Sequence, residues 1–564
     1  MNKKLLFVLY FFLAVGILNA DSITKAAAGK DIKAVLVVKS LQDLFTNIGS
    51  VTEKFSPGSS AIVEQKTGLH IFGDPMMKGI DRSKPIVMGF LTPEDASNLP
   101  GYLCLPLSNA EAFSASSKTH FEKNGSQVTI IKGYAVICKN KKQEVDLLKS
   151  VSAQLTAVKP ADVDALAVAY IPMDSVSDHL DNAQKEMKEK MLEKLPPDSH
   201  ARQKSEVISL QVAYLFDLIR QIHSVRTRFS IGTNGLSLSC TVEPLEKSKF
   251  EQFLLKSREK NFSLMGLDTQ DTICSGVINI SPDLCREFFL DMIIKDMRDK
   301  KLFTESEQKK ITDIYNQYLS VITGLHYFKL IGTPGNTLSV VNILKIKDKS
   351  RARKMVSSGI EWYKDSEVKN FSNSPHMQVG EIKFTRDSRS SGSVPVDSMN
   401  VKLKYSETMQ LLEKFYGAEL NYEFSYLDNF IVIAQAEKVK NITNFALKQL
   451  QTLTKKPLQP REDLPSSGLF LVTTNLINFI KFISQIIPVP EGGDTAMLFA
   501  MGKGLIMGLS CDEVITLTGK KSGKSLVVTE FIPYSPFLKA FHTVQNMFKG
   551  PQPGGGGDAP PPPQ

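Results

Sequence analysis

Residues 505–547 read LIMGLSCDEVITLTGKKSGKSLVVTEFIPYSPFLKAFHTVQNM. From Leu505 to Met547 this stretch predicts a strand, a tight polar turn at Gly519-Lys520-Lys521-Ser522-Gly523-Lys524-Ser525, a second strand over Leu526 to Ile532, and a helix started by Pro533 and Pro536. The layout recurs at Arg226 to Lys256, around Gly232-Thr233-Asn234-Gly235, and at Leu325 to Trp362, around Gly332-Thr333-Pro334-Gly335-Asn336. Asn234-Gly235 carries the strongest turn signal, because a type I′ turn needs positive φ at both central positions. Hairpins followed by helices, repeated along one chain, predict an α+β fold: duplicated modules of antiparallel sheet (strand, helix, β-hairpin, helix), covered by helices.

The Gly-Lys-Ser turn invites comparison with a phosphate-binding loop. That motif needs G-x-x-x-x-G-K-[ST] and an immediate helix, so that successive N–H groups wrap the phosphates. Here the spacing is one residue short and a strand follows, so the turn reads as an exposed hairpin.

Working outward, Ala34 to Val38 is a continuous apolar run that reads as a buried strand, with Ser40 capping a helix from Leu41. Strands are expected at Pro85 to Leu91 and Tyr102 to Leu107, with a hairpin at Lys132-Gly133 and a helix from Lys141. Ala165 to Ile171 restarts the pattern, followed by a helical hairpin whose second arm, Val207 to His223, carries Leu210, Tyr214, Leu218 and Ile222 on one face for burial. Ile273 to Ile280 and the helix start Ser281-Pro282-Asp283 begin again. Lys364 to Met399 is rich in Ser, Asn and Asp and reads as a loop with one strand-like piece, Glu381 to Thr385. Beyond it, Val401 to Ser406, a hairpin at Asp428-Asn429 and a helix after Glu437 repeat the order of Tyr102 to Ser108, Lys132-Gly133 and Lys141. The alignment sets Ser406 on Ser108, Val432 on Val136, Ile433 on Ile137 and Lys402 on Cys104, which implies a duplication over roughly 31–257 and 270–548. The expected units are a first α+β module at 31–155, a second at 160–260 with the helical-hairpin insertion, a third at 270–365, a fourth at 375–455 similar to part of the first, and a fifth at 465–548.

The chain's 564 residues exceed one hydrophobic core, and 42% apolar with 23% charged residues is ordinary for a folded protein. Lys3 and Lys4 precede the apolar run Leu5 to Leu18, with Ala20 offering a small residue for cleavage, so residues 1–20 read as a secretory signal peptide, with an uncleaved anchor as the alternative. The protein is therefore expected to be secreted, periplasmic or extracellular. The net charge of +9 is a mild bias that permits peripheral contact with anionic surfaces, and export argues against nucleic acid. The Gly/Pro-rich tail 549–564 has nothing to bury and is expected to be disordered.

No catalytic, cofactor-binding or metal residue is assigned. The six cysteines form no C-x-x-C pair; a Cys104–Cys138 disulfide remains open beside two buried thiols. The eight histidines make no H-E-x-x-H, and a G-x-S-x-G elbow is absent. Leu476, Phe479, Ile480, Ile483, Ile486 and Ile487 form a broad apolar helix face, read as core packing, with a lipid-binding groove as the sharper alternative, favoured by Met497, Met501 and Met507. In layout alone the chain resembles uncharacterised exported bacterial proteins with repeated α+β modules, which implies no functional residue. The expected function is binding or structural work at the cell envelope or outside it, with an unknown partner. Alternatives are a carrier of lipid or another apolar ligand, and an extracytoplasmic hydrolase with its site assembled between modules.

Overall fold

The computed structural model describes residues 34–90, 101–138, 165–193, 201–290, 298, 304–332, 337–365, 377–455, 464–487 and 492–549. The signal-like segment, the helix expected from Lys141 and the Gly/Pro tail lie outside them.

The first half of the chain supplies β1 (Ala34–Val38), β2 (Ile86–Phe90), β3 (Tyr102–Pro106), β4 (Gln127–Ile131), β5 (Tyr134–Cys138), β6 (Ala167–Pro172), β7 (Ile222–Ile231), β8 (Gly235–Pro244) and the short β9 (Lys260–Asn261). The second supplies β10 (Thr272–Asn279), β11 (Ile322–Ile331), β12 (Ser339–Ile346), β13 (Met377–Ser391), β14 (Val394–Tyr405), β15 (Glu419–Tyr426), β16 (Phe430–Gln435), the short β17 (Ser467–Gly468), β18 (Phe470–Thr474), β19 (Ile515–Ser522) and β20 (Ser525–Pro533). The principal helices are α1 (Leu41–Phe55), α2 (Ser60–Phe72), α3 (Ser177–Leu192), α4 (Ala201–Arg220), α5 (Lys249–Lys256), α6 (Glu305–Val321), α7 (Lys349–Asp365), α8 (Val439–Lys455), α9 (Leu476–Ile486), α10 (Gly493–Gly508) and α11 (Ser535–Lys549).

Eighteen strands form one sheet. Every pairing is antiparallel, and following the pairs from edge to edge gives β4-β5-β3-β2-β1-β6-β7-β8, then β20-β19-β18-β10-β11-β12-β16-β15-β14-β13. Within this sheet the two halves meet where β8 pairs with β20, running from Val242 opposite Leu526 to Gly235 opposite Pro533. Ser239 and Thr529 hydroxyls lie 3.2 Å apart at the middle of that seam. β9 and β17 pair separately.

Local chemistry explains the elements that the sequence announced. Val35 to Val38 are buried, and the Ser40 side chain accepts the Asp43 N–H as N-cap of α1, a bond whose loss typically costs about 1 kcal/mol. Lys132 and Gly133 both take positive φ, as a two-residue hairpin turn requires. Asn475 caps α9 through the Asn478 N–H.

Elsewhere the expectations need correction. Asn234 and Gly235 are not in the positive-φ region, so no type I′ turn forms there. Gly235 instead opens β8, where a Cβ would meet the Ile532 carbonyl oxygen at 2.5 Å, so glycine is required by the seam. Leu505 to Gly508 end α10, and the strand of the opening stretch begins only at Ile515. Among the described side chains of α4, Leu210, Val212 and Phe216 are buried while Leu218 is exposed.

The largest difference is at 377–405. This polar stretch is no loop: β13 and β14 make a long hairpin at the sheet edge, turning at Gly392. Its alternation is weak because much of β13 is solvent-exposed, and charge anchors it instead. Arg353 of α7 grips the fully buried Asp397 bidentately, Nε to Oδ2 at 3.1 Å and Nη2 to Oδ1 at 2.5 Å. Arg389 does the same to buried Glu423, at 2.7 and 2.5 Å, and also donates to Asn444 of α8. Such paired charges retain their hydrogen bonds out of water, whereas either partner alone would be costly.

Candidate functional site

The chemistry-bearing side chains converge where the ends of β10 and β18 meet α9. Alternation along β11 sends Tyr327, Lys329 and Ile331 to one face, and all three are buried. On the neighbouring strands Ser275 lies opposite Lys329, and Thr473 opposite Ser275. A row of polar side chains thus crosses the sheet beneath an otherwise apolar cluster that includes Leu267, Val277, Leu447 and Leu450.

Asp268, in the turn before β10, gathers this row. Its Oδ2 accepts from the Ser275 hydroxyl at 2.9 Å and its Oδ1 from the Tyr327 hydroxyl at 3.0 Å. The Ser275 and Thr473 hydroxyls lie 2.8 Å apart. Burial, with Asp268 beside it, pushes the Tyr327 phenol far above its ordinary range, so it stays a donor. The Lys329 amine donates to the Leu267 carbonyl at 2.8 Å and lies 5.4 Å from the Phe445 ring centre. Lys329 is 1% exposed, and burial brings its pKa down to about 8.

Above this row is a cavity of about 310 Å³, lined among others by Asp268, Asp271, Thr473, Asn478, Lys481 and Asp512. Side-chain amides fix its walls: Asn475 Nδ2 donates to the Cys511 carbonyl at 2.8 Å, and Asn478 Nδ2 to the Gln270 and Thr272 carbonyls at 2.8 and 2.9 Å. Among the described residues, the lining therefore presents the carboxylates of Asp268, Asp271 and Asp512 and the cation Lys481, with hydroxyls and amides between them. Among the described residues no group of three or more His, Cys, Asp or Glu is placed to hold a metal ion. The arrangement is suited to accepting hydrogen bonds from a ligand's amines or hydroxyls.

No motif in the sequence marks Asp268, Ser275, Tyr327, Lys329 and Thr473 as a group. The signal was available for Lys329: in His-Tyr-Phe-Lys-Leu-Ile it stands in phase with Tyr327 and Ile331, so the period of two puts a charge indoors.

The Gly-Lys-Ser turn is a β-turn between β19 and β20 that contacts its own chain. Lys524 pairs with Glu251 at 2.8 Å, the Lys521 N–H donates to Glu259 at 2.5 Å, and the Lys521 amine reaches the Leu255 and Ser257 carbonyls at the end of α5. Cys104 and Cys138 are buried diagonally across β3 and β5, with Cys104 opposite Val136 and Cys138 opposite Tyr102, and no disulfide joins them.

A second cavity, apolar and open, of about 440 Å³, lies between α6 and α7, lined by Tyr318, Met355, Ile360 and Phe424 among others. Comparison with known proteins finds no match among protein-family models, curated proteins or solved structures.

Proposed function

We propose that this is an exported, non-enzymatic binding protein of the cell envelope or extracellular space, and that its ligand is a small molecule rich in hydrogen-bond donors, an amine or a polyol, held in the polar cavity. The observation that carries the proposal is Asp268 at the cavity floor, with both carboxylate oxygens oriented by the Ser275 and Tyr327 hydroxyls. Orienting a carboxylate before the ligand arrives lowers the ordering cost of binding.

We further propose that 31–257 and 270–548 are two copies of one ancestral unit. Laying the β7–β8 turn on the β19–β20 turn sets Phe229 on Gly519; stepping outward through paired strands then sets Ala167 on Phe470, Val38 on Ile278, Ile86 on His326, Leu105 on Leu344 and Ala135 on Ile431. Val136 thereby falls on Val432 and Ile137 on Ile433. Superposing the separate turns Lys132-Gly133 and Asp428-Asn429 gives the same match, which supports a common origin over a chance succession of elements. The walk revises two correspondences: Cys104 falls on Ile343 rather than Lys402 and Ser108 on Lys347 rather than Ser406, so β12, not β14, takes the place of β3. The β13–β14 hairpin is then an addition of the second copy.

The same walk sets Lys329 on Gly89, Ser275 on Val35 and Thr473 on Tyr170. One copy makes its sheet without the polar row, so the fold does not require it, and a site is the better account of its presence in the other.

The test is native mass spectrometry of the mature protein for co-purifying ligand, followed by titration of the identified amine or polyol against Asp268→Asn. A loss of tenfold or more in affinity is expected, measured on Asp268→Asn protein that circular dichroism shows to be folded at the titration temperature, since one of the two hydroxyls loses its acceptor. Co-purification of a lipid displaced by mutation of Tyr318 or Met355 would favour the carrier alternative, which the apolar cavity between α6 and α7 supports.

A further inference from the structure

Among the described residues, the helical hairpin of α9 and α10 leaves much of its most apolar surface uncovered. On α9, Leu476, Phe479, Ile480, Ile483 and Ile487 fall within one arc at helical spacing, yet none of them is buried. Ile477, Phe482 and Ile486 occupy the core instead, leaving Phe479 44% and Ile487 40% exposed. Packing was the expectation for this face, and only Ile486 of the expected set fulfils it.

α10 is more extreme. Its sequence, GDTAMLFAMGKGLIMG, contains no charged residue but Asp494 and Lys503, and none of its described side chains is buried. Its outward arc is Gly493, Met497, Ala500, Met501, Gly504 and Gly508, with Met497 66% and Met501 47% exposed. A helix that is apolar all round belongs in a core or a lipid phase, and this one is in neither within the monomer.

We propose that the outer face of the α9–α10 hairpin seats in the interfacial layer of an anionic phospholipid membrane. Length decides against spanning: α10 has 16 residues and α9 has 11, short of the roughly 20 that cross a bilayer, and among the described residues no helix is long and apolar enough to do so. Area decides against a second copy. A helix pair about 24 Å long and about 20 Å wide offers roughly 500 Å² per protomer, so a symmetric dimer would bury about 1,000 Å², below the roughly 1,200–2,000 Å² of stable interfaces. On α10 this face is glycine, alanine and methionine, which give little shape for a protein partner to fit, and on α9 it is leucine, isoleucine and phenylalanine, which partition readily into headgroup and acyl carbon. On the hairpin itself Lys481 and Lys503 are balanced in sequence by Glu491 and Asp494, and Lys481 lines the polar cavity, so the choice of an anionic lipid rests on the +9 of the whole chain.

Vesicle flotation of the mature protein tests this, using vesicles of zwitterionic phospholipid with about one third anionic phospholipid, and of zwitterionic phospholipid alone. Wild type is expected on the anionic vesicles at low salt, with binding reduced at high salt. Met497→Glu with Met501→Glu is expected to lower partitioning at least tenfold while leaving the melting transition unchanged, since both side chains are exposed. Ile62→Glu, at an exposed apolar position on α2, is expected to bind as wild type does. A Phe479→Trp variant should shift its emission to the blue on anionic vesicles. The proposal is overturned if wild type fails to float, if Ile62→Glu is as impaired as the double variant, or if the double variant dissociates a dimer seen by sedimentation without changing vesicle binding.

Discussion

Replacing Lys329 with methionine should remove a rise in stability between about pH 8 and 10.5. Lys329 is buried in β11 with a pKa lowered by burial from 10.5 to about 8. Below about pH 8 both states carry the proton, and the folded protein bears the whole cost of the buried charge. Between about pH 8 and 10.5 the folded state releases the proton while the unfolded chain keeps it, so the unfolded state binds more protons and stability rises with pH. The shift amounts to about 3 kcal/mol, at about 1.4 kcal/mol per pH unit. Lys329→Met removes this contribution and leaves the Leu267 carbonyl without its donor, at a cost of roughly 1–3 kcal/mol. The two changes oppose each other at neutral pH, so the variant should lie within about 2 kcal/mol of wild type there. Near pH 10 it should be less stable than wild type, the difference having moved by about 2–3 kcal/mol. Urea unfolding followed by circular dichroism, at steps from neutral pH to pH 10, measures this, since other groups titrate alike in both proteins. Parallel curves for the two proteins, within about 0.5 kcal/mol at every pH, would refute a charged amine enclosed at Lys329.

Three further outcomes follow from the packing. Arg389→Ala strands the Glu423 carboxylate, which is 6% exposed, and should cost about 3–5 kcal/mol in urea unfolding; Arg389→Met with Glu423→Leu should recover most of it. Gly89→Ala places a Cβ 1.8 Å from the Tyr102 ring between β2 and β3, so the variant should lose several kcal/mol, roughly 3 or more, unless Tyr102 is truncated as well. Burial pushes the Cys104 thiol well above its usual pKa, so in the native protein it should resist a thiol-specific reagent at pH 8 and react once urea unfolds the chain, read by mass spectrometry of the labelled peptide.

What was legible in the sequence was what local chemistry determines. Val35 to Val38 had to be enclosed, Ser40 had to cap, and Lys132-Gly133 had to turn, because each outcome depends on a few neighbouring residues. What was not legible depends on partners distant in sequence. β13 looked like loop because its exposed edge needs few apolar residues, and its anchors, Asp397 and Glu423, are recognisable only beside Arg353 and Arg389. Asn234-Gly235 misled for a related reason: the glycine serves the approach of β20, some three hundred residues away, rather than its own turn.

The two surfaces singled out for function share a property that separates them from the scaffold. At Lys329, Ser275 and Thr473 a strand face that could be apolar is polar, as the corresponding Gly89, Val35 and Tyr170 demonstrate under the proposed duplication. On α9 and α10 a helix face that could be polar is apolar. Each departs from the binary pattern that stabilises a soluble α+β protein, and each carries a cost: a buried amine in one case, exposed methionine and phenylalanine in the other. The helix α9 belongs to both, since Lys481 projects from it into the lining of the polar cavity while Phe479 is exposed on its outer face. A membrane taken up by the outer face of the hairpin would therefore act on the helix that forms one wall of the cavity, which makes lipid dependence of ligand affinity the natural link between the two proposals.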